Sequence, residues 1–319
     1  MVAFRAAIIA TAIALTGLTD REFLMDWLTN FPHLNDEALR LVKKGLDDAF
    51  RTFTRTYGDS IEGVFAPLQY LLIKCEHFLT DTPWPLIISL AAGLAWLASR
   101  NLTTVAGTVV TLVAIGFLSM WDDTMKTVSM ILVSTIIAIV LGAPVGIAMS
   151  RSERIQRVIN PVLDVMQTMP SFVYLIPVVM LLGIGKVPGV IAVVIYAIPP
   201  MIRLTNLGIR LVDKDVLEAA DAFGSSNWQK LRDVQIPLAL PTIMAGVNQT
   251  IMMALAMVVI ASMIGVQGLG QPVLKAINNQ YFTLGLFNGL AIVGIAIIFD
   301  RISQAYGKRL QRHLELMHA

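Results

Sequence analysis

The sequence predicts an all-α integral membrane protein with seven spanning helices, and three observations carry that prediction. Of 319 residues, 56% are hydrophobic and only 14% are charged, against about 25% charged in an ordinary soluble domain. Seven stretches lack Asp, Glu, Lys and Arg altogether: residues 82–99, 101–121, 127–150, 165–185, 187–202, 234–274 and 276–299. Basic residues gather on alternate connections between them, the asymmetry that marks a cytoplasmic face.

The first element is residues 6–19, an uncharged run of 14 behind Arg5. It is short for a span, and no small-x-small cleavage site follows it. It reads as an uncleaved N-terminal anchor, an eighth helix, with a cleaved signal peptide as the alternative. Residues 20–83 then form an extracytoplasmic segment. Within it Leu39, Val42, Leu46, Ala49, Phe50 and Phe53 recur at helical spacing with charges on the other face, which suits an amphipathic helix lying on the outer membrane surface or packed on the bundle. Residues 84–121 supply two accessory spans, residues 122–305 the core, and residues 306–319 a cytoplasmic tail. A span needs about 20 apolar residues; most windows meet this, while residues 187–202 fall short at 16. The long window 234–274 holds one span, near residues 242–264. Pro237 and Pro241 precede that span, and the loop Gln267-Gly268-Leu269-Gly270-Gln271-Pro272 follows it.

Alternating the seven spans puts Arg100, the cluster Arg151/Arg154/Arg157, the segment Arg203 to Arg232 and the tail from Arg301 on one face, thirteen basic residues in all. The other face receives Lys126, Lys186 and Lys275. The first face is cytoplasmic, and it carries a long polar connection, residues 203–241.

Several functions are argued against by what the chain lacks. A net charge of +2 is too small to imply nucleic acid. One cysteine allows no internal disulfide, and the four histidines have no metal-ligand spacing. Ion-coupled transporters commonly place Asp, Glu or His at membrane depth; here Asp164 and Asp300 sit at cytoplasmic ends. Gly183-Ile184-Gly185-Lys186 fails as a phosphate loop, because Met180 and Val187 stand where a glycine and a hydroxyl are needed. No catalytic set is visible. Energy for uphill movement would come from elsewhere.

The polar connection holds "EAADAFGSSNWQKLRDVQIP". Asp215-Val216-Leu217-Glu218 has the form of a capping box, and Gly224 suits the left-handed residue after a helix end. Ser226 with Gln229 reads as a second capping box, opening a helix that stops before Pro237. The first helix is too short to be stable alone. Either it packs on this chain's own spans, or its Ala219/Ala220 surface lies in a partner's groove.

Here the sequence resembles the permease subunits of ABC importers, whose cytoplasmic signature is Glu-Ala-Ala, three residues, Gly, nine residues, then Ile-x-Leu-Pro. This chain has Glu218-Ala219-Ala220, Gly224 and Val234-Gln235-Ile236-Pro237 at the same spacing. On either side, LDVMQTMPSFVYLIPVVMLLGIGKVPGV (residues 163–190), AIPPMIRLTNLGIR (residues 197–210) and residues 237–271 look like the permease of glycine betaine/proline betaine/choline importers. The resemblance covers about residues 84–305; the N-terminal segment departs from it.

The resemblance implies a multi-pass protein of the bacterial plasma membrane, with a type I importer fold. Two copies would form the pathway, two cytoplasmic ATPases would bind ATP and grip Glu218, Ala219, Ala220, Gly224, Ile236 and Pro237, and an extracytoplasmic binding protein would deliver substrate. The chain itself would need no cofactor. A permease for another compatible solute or amino acid is the nearest rival, and a non-transporting scaffold or enzyme subunit the more distant one.

A quaternary ammonium lacks N–H donors and favours aromatic faces, which makes Phe172 and Tyr174, between Pro170 and Pro177, candidates for the path. Ordinary packing is their other explanation. Asn248 and Gln249 either line the path or hydrogen-bond between helices. Gly268 and Gly270 form an outer gate or a plain turn. Asp164 is expected to cap a helix or to pair with Arg154 or Arg157.

Overall fold

The computed structural model describes residues 36–318, where helices and turns make up the whole chain. The expected anchor at residues 6–19 lies outside the described residues. The helices are α1 (Asp36–Asp81), α2 (Trp84–Ser99), α3 (Leu102–Phe117), α4 (Trp121–Arg151), α5 (Glu153–Thr168), α6 (Leu175–Leu182) and α7 (Lys186–Arg210). After these come α8 (Lys214–Ala222), α9 (Asn227–Ser262), α10 (Gly270–Asn279) and α11 (Phe282–His318).

The chain divides into two compact units, Met1–Tyr57 and Gly58–Ala319. In the first, the described part of α1 keeps the predicted apolar stripe, and Leu39, Val42, Leu46 and Phe53 are exposed along it. The second unit contains the seven predicted spans of residues 82–299.

Among the described residues, four helices are long and apolar enough to cross a membrane on their own, α4, α7, α9 and α11, and the count rises to six if each bent pair is one span. The expected count of seven needs amendment, because the other three windows fold differently. The window 165–185 is a broken span in which α5 meets the segment Ser171–Leu182 at 109°. The cause is local. Pro170 offers no N–H and excludes Met169 from helical geometry, and both residues are extended, with ψ of 132° and 136°. Helices α2 and α3 have 16 residues each, about 24 Å at 1.5 Å per residue. Pro83 likewise bends the chain by 107° between Gly63–Asp81 and α2.

Elsewhere helices outrun their uncharged windows. The 16-residue window 187–202 becomes the 25-residue α7, because Arg203 and Arg210 prolong it at its cytoplasmic end. Helix α9 begins well before the expected residue 242. The last window is split at Gln280, whose left-handed φ of 58° ends α10. Helix α11 then starts afresh at Phe282.

Helix α7 lies at the centre, with Val190, Ala192 and Val193 fully buried. Small residues set its approach to its neighbours. A Cβ on Gly146 of α4 would lie 2.6 Å from the Thr205 side chain, and one on Gly208 of α7 would lie 2.9 Å from that of Thr242 in α9. The cytoplasmic connection therefore hangs from three helices that touch.

Candidate functional site

The cytoplasmic connection begins where α7 ends at Arg210. Asp213 caps α8, its Oδ1 accepting the Asp215 N–H at 3.0 Å. The capping box expected at Asp215 and Glu218 is thus replaced by an earlier cap. Both aspartates are short acceptors, and the one that follows directly on the end of α7 is the one in extended geometry, at ψ 134°. Glu218 and Ala219 are exposed on the helix instead. The C-terminal end is as the sequence predicts: Gly224 has φ of 78°, its N–H donates to Asp221 O at 2.9 Å, and the Ser225 N–H donates to Ala220 O at 3.0 Å. That reciprocal pair satisfies two terminal carbonyls.

Ser226 and Gln229 form the second capping box, with the Gln229 N–H donating to Ser226 Oγ at 3.3 Å and the Ser226 N–H to Gln229 Oε1 at 2.9 Å. The helix it opens does not stop before Pro237. A π-helical turn over Lys230–Gln235 shifts the hydrogen-bond frame just ahead of that proline, and the helix continues to Ser262. The loop is tied to the spans at two points, and a third contact beside it joins α7 to α4. Leu231 is buried with Ile209 and Ala239, and Ile236 packs against that cluster. Arg151 of α4 donates to Asn227 O at 3.4 Å. Arg210 of α7 donates to Asn206 Oδ1 and to Met149 O, each at 3.1 Å.

Helix α8 itself has no buried residue. An ion pair between Lys230 and Asp221 holds it to the π-helical turn. At the Gly224 turn two large apolar side chains stand in solvent, Phe223 at 91% exposure and Trp228 at 67%. A Cβ added to Gly224 meets nothing within 4 Å. A nine-residue helix is unstable alone, so this one is shaped by its caps and presents its faces outward.

The sequence-predicted path residues differ in their surroundings. Tyr174 is buried, its hydroxyl donates to Met166 O, and its ring stands 6.4 Å from that of Tyr196. It stitches the broken span. Phe172 is exposed in the single chain, as is Gln249. Asn248 sits between helices: its Nδ2 donates to Asp300 Oδ1 at 2.9 Å, and its Oδ1 accepts from Ser303 Oγ at 2.5 Å. Gly268 and Gly270 are buried. A Cβ on Gly268 would lie 2.4 Å from Thr127 Oγ1, the atom that accepts the Leu269 N–H at 2.9 Å. We therefore expect Gly268→Ala to cost ~1–3 kcal/mol by overpacking. The check is a lowered thermal midpoint for the detergent-solubilised protein.

Residues 138–312 match the family described as "Binding-protein-dependent transport system inner membrane component". The chain belongs to this family. It is 45% identical over 297 residues to the "Glycine betaine/proline betaine transport system permease protein ProW" of Escherichia coli K12, covering 89% of this chain and 82% of that protein. It is 50% identical over 262 residues to the "Glycine betaine/carnitine transport permease protein GbuB" of Listeria monocytogenes, covering 82% of this chain and 91% of that one. Among solved structures, an inward-facing form of the MetNI methionine ABC transporter shares the fold at a TM-score of 0.54 and 19% identity, over 58% of this chain and 93% of its own.

In this inner-membrane permease two carboxylates found partners that sequence spacing did not indicate. Asp164 pairs with Arg203 of α7 at 2.5 Å, not with Arg154 or Arg157, because the bend after α5 carries it to the neighbouring helix. Asp300 takes the Asn248 amide and the Gln304 side chain, at 2.9 and 2.7 Å. A third pair, Lys186 with Glu76 at 2.6 Å, was missed because 110 residues separate its members.

Proposed function

We propose that this chain is the membrane-spanning subunit of an ATP-driven importer for quaternary ammonium compounds, with glycine betaine as the leading substrate. The observation that carries the coupling half is α8: a capped helix with no buried residue, flanked by exposed Phe223 and Trp228 and tied through Leu231 and Arg151 to α4, α7 and α9. A partner that grips α8 gains leverage on three spans. That partner is a cytoplasmic ATPase which binds ATP, while this chain carries no catalysis of its own. Glu218, Ala219, Ala220 and Gly224 form its contact surface. Ile236 and Pro237 stand at the base of the lever, where the π-helical turn joins the span.

The substrate half rests on the relatives, since the names of both ProW and GbuB include glycine betaine. Two copies of the permease enclose the path and an extracytoplasmic binding protein loads it. Phe172 and Gln249, exposed in the single chain, are its candidate lining. Asn248 is committed between α9 and α11, and Tyr174 to the broken span. Gly268 and Gly270 lock the outer ends of α4 and α9, which makes them the fixed side of an outer gate.

The test is uptake of radiolabelled glycine betaine and choline by cells stripped of their own systems and expressing permease, ATPase and binding protein together. Uptake that needs all three supports the reading and ranks the substrates. An assembled complex that moves neither compound removes the substrate assignment, and a permease that recruits no ATPase removes the importer.

A further inference from the structure

We propose that Glu76 and Lys186 form an extracytoplasmic latch that pins the tail of α1 over the α6–α7 turn and opens during each transport cycle. The proposal rests on the importer reading for what the cycle is, but the latch itself is read from geometry. Lys186 Nζ donates to both carboxylate oxygens of Glu76, at 2.8 and 2.6 Å, and both side chains are largely shielded from water. Removing one partner strands a half-buried charge, so breaking this pair costs more than breaking a surface ion pair. Lys126 and Gln267 line the same small gap.

The rest of the contact is built to part. In residues 58–81 the buried apolar side chains are Leu72 and Leu79, and Leu79 packs beside Met125 and Ile87 close to the bend at Pro83. Further up the helix, Phe65, Gln69 and Ile73 face Leu182, Ile184 and Val187 across a cavity of about 380 Å³. Permanent interfaces are packed to crystal density; this one is hollow. The opposite wall is equally loose, since Gly183 and Gly185 have φ of 75° and 156° and a Cβ on either meets nothing within 4 Å. Contrast the α9–α10 loop, where a Cβ on Gly268 would lie 2.4 Å from Thr127 Oγ1. The tail of α1 is thus a lever hinged at Pro83, held down by Leu72, with Leu68 and Cys75 half-buried beside it, and by one ion pair at the edge of that cavity. Segments with so few buried contacts open first.

The test uses the purified complex with its ATPase and binding protein. In Glu76→Gln, backbone hydrogen exchange across residues 65–76 is expected to quicken by about tenfold, a local opening, while α4 exchanges as before. The charge swap Glu76→Lys with Lys186→Glu should restore the slow rate. Exchange that is unchanged in Glu76→Gln overturns the latch. For the cycle, Glu76→Cys with Lys186→Cys in a Cys75→Ala background is bridged by a short bis-thiosulfonate linker. Bridging should suppress binding-protein-stimulated ATP hydrolysis reversibly, and full stimulation in the bridged complex overturns the opening step. A wild type that shows the exchange pattern and hydrolyses ATP but moves no glycine betaine removes the substrate assignment alone.

Discussion

Replacing Gly224 with tryptophan is expected to abolish uptake while the permease stays in the membrane at its normal level. The residue sits at φ 78°, where an L side chain costs ~1–2 kcal/mol. That strain falls on an exposed turn remote from the buried core, so insertion and helix packing should survive it. The larger effect is steric. The space around a Gly224 Cβ is open in this chain and, in the proposed assembly, is the space the ATPase occupies. Loss of uptake by roughly a hundredfold corresponds to ~2.8 kcal/mol at 1.4 kcal/mol per decade, a modest demand for a bulky ring driven into an interface. Gly224→Ala separates the two causes, because alanine carries the left-handed strain and adds little bulk. Partial uptake in Ala with none in Trp assigns the residue to the interface. Equal loss in both, with ATPase still bound, assigns it to the turn alone and removes the contact role.

How far the sequence discloses this site follows from the range of the interactions. Gly224 and the Ser226/Gln229 box are local devices, each closed within six residues, and pattern alone places them correctly. The Asp213 cap was misplaced by two residues because Asp213 and Asp215 are chemically equal, and only the end of α7 decides between them. The run of α9 through Pro237 was invisible for a similar reason: a π-helical turn has no compositional mark, so the proline read as a stop. The spans were legible as windows, but the bend at Pro170 turned one of them into two pieces and sent Asp164 to Arg203. Partnerships across the bundle lie beyond periodicity. Asn248 with Asp300 and Glu76 with Lys186 join residues 52 and 110 positions apart, and no spacing rule reaches that far.

Truncating Phe223 or Trp228 to alanine should weaken the permease's hold on its ATPase more than any single change to the alanines of α8. Ala219 and Ala220 have only a methyl to bury, whereas the two aromatics bring 150–250 Å² each and stand 91% and 67% exposed in the free chain. Monomeric proteins seldom leave such side chains in water beside a helix that needs support, and anchors of this type dominate interface energetics at about 2 kcal/mol or more. One such loss is roughly a thirtyfold drop in affinity at 1.4 kcal/mol per decade, read directly as ATPase retained on immobilised permease. The folded state should not register the change, since neither ring packs in the hydrophobic clusters that hold the spans, and the thermal midpoint of the solubilised protein serves as the control. Double truncation should release the ATPase altogether, with ATP hydrolysis then independent of the binding protein. Undiminished retention in both single variants would move the docking surface away from this turn, and with it the lever on α4, α7 and α9.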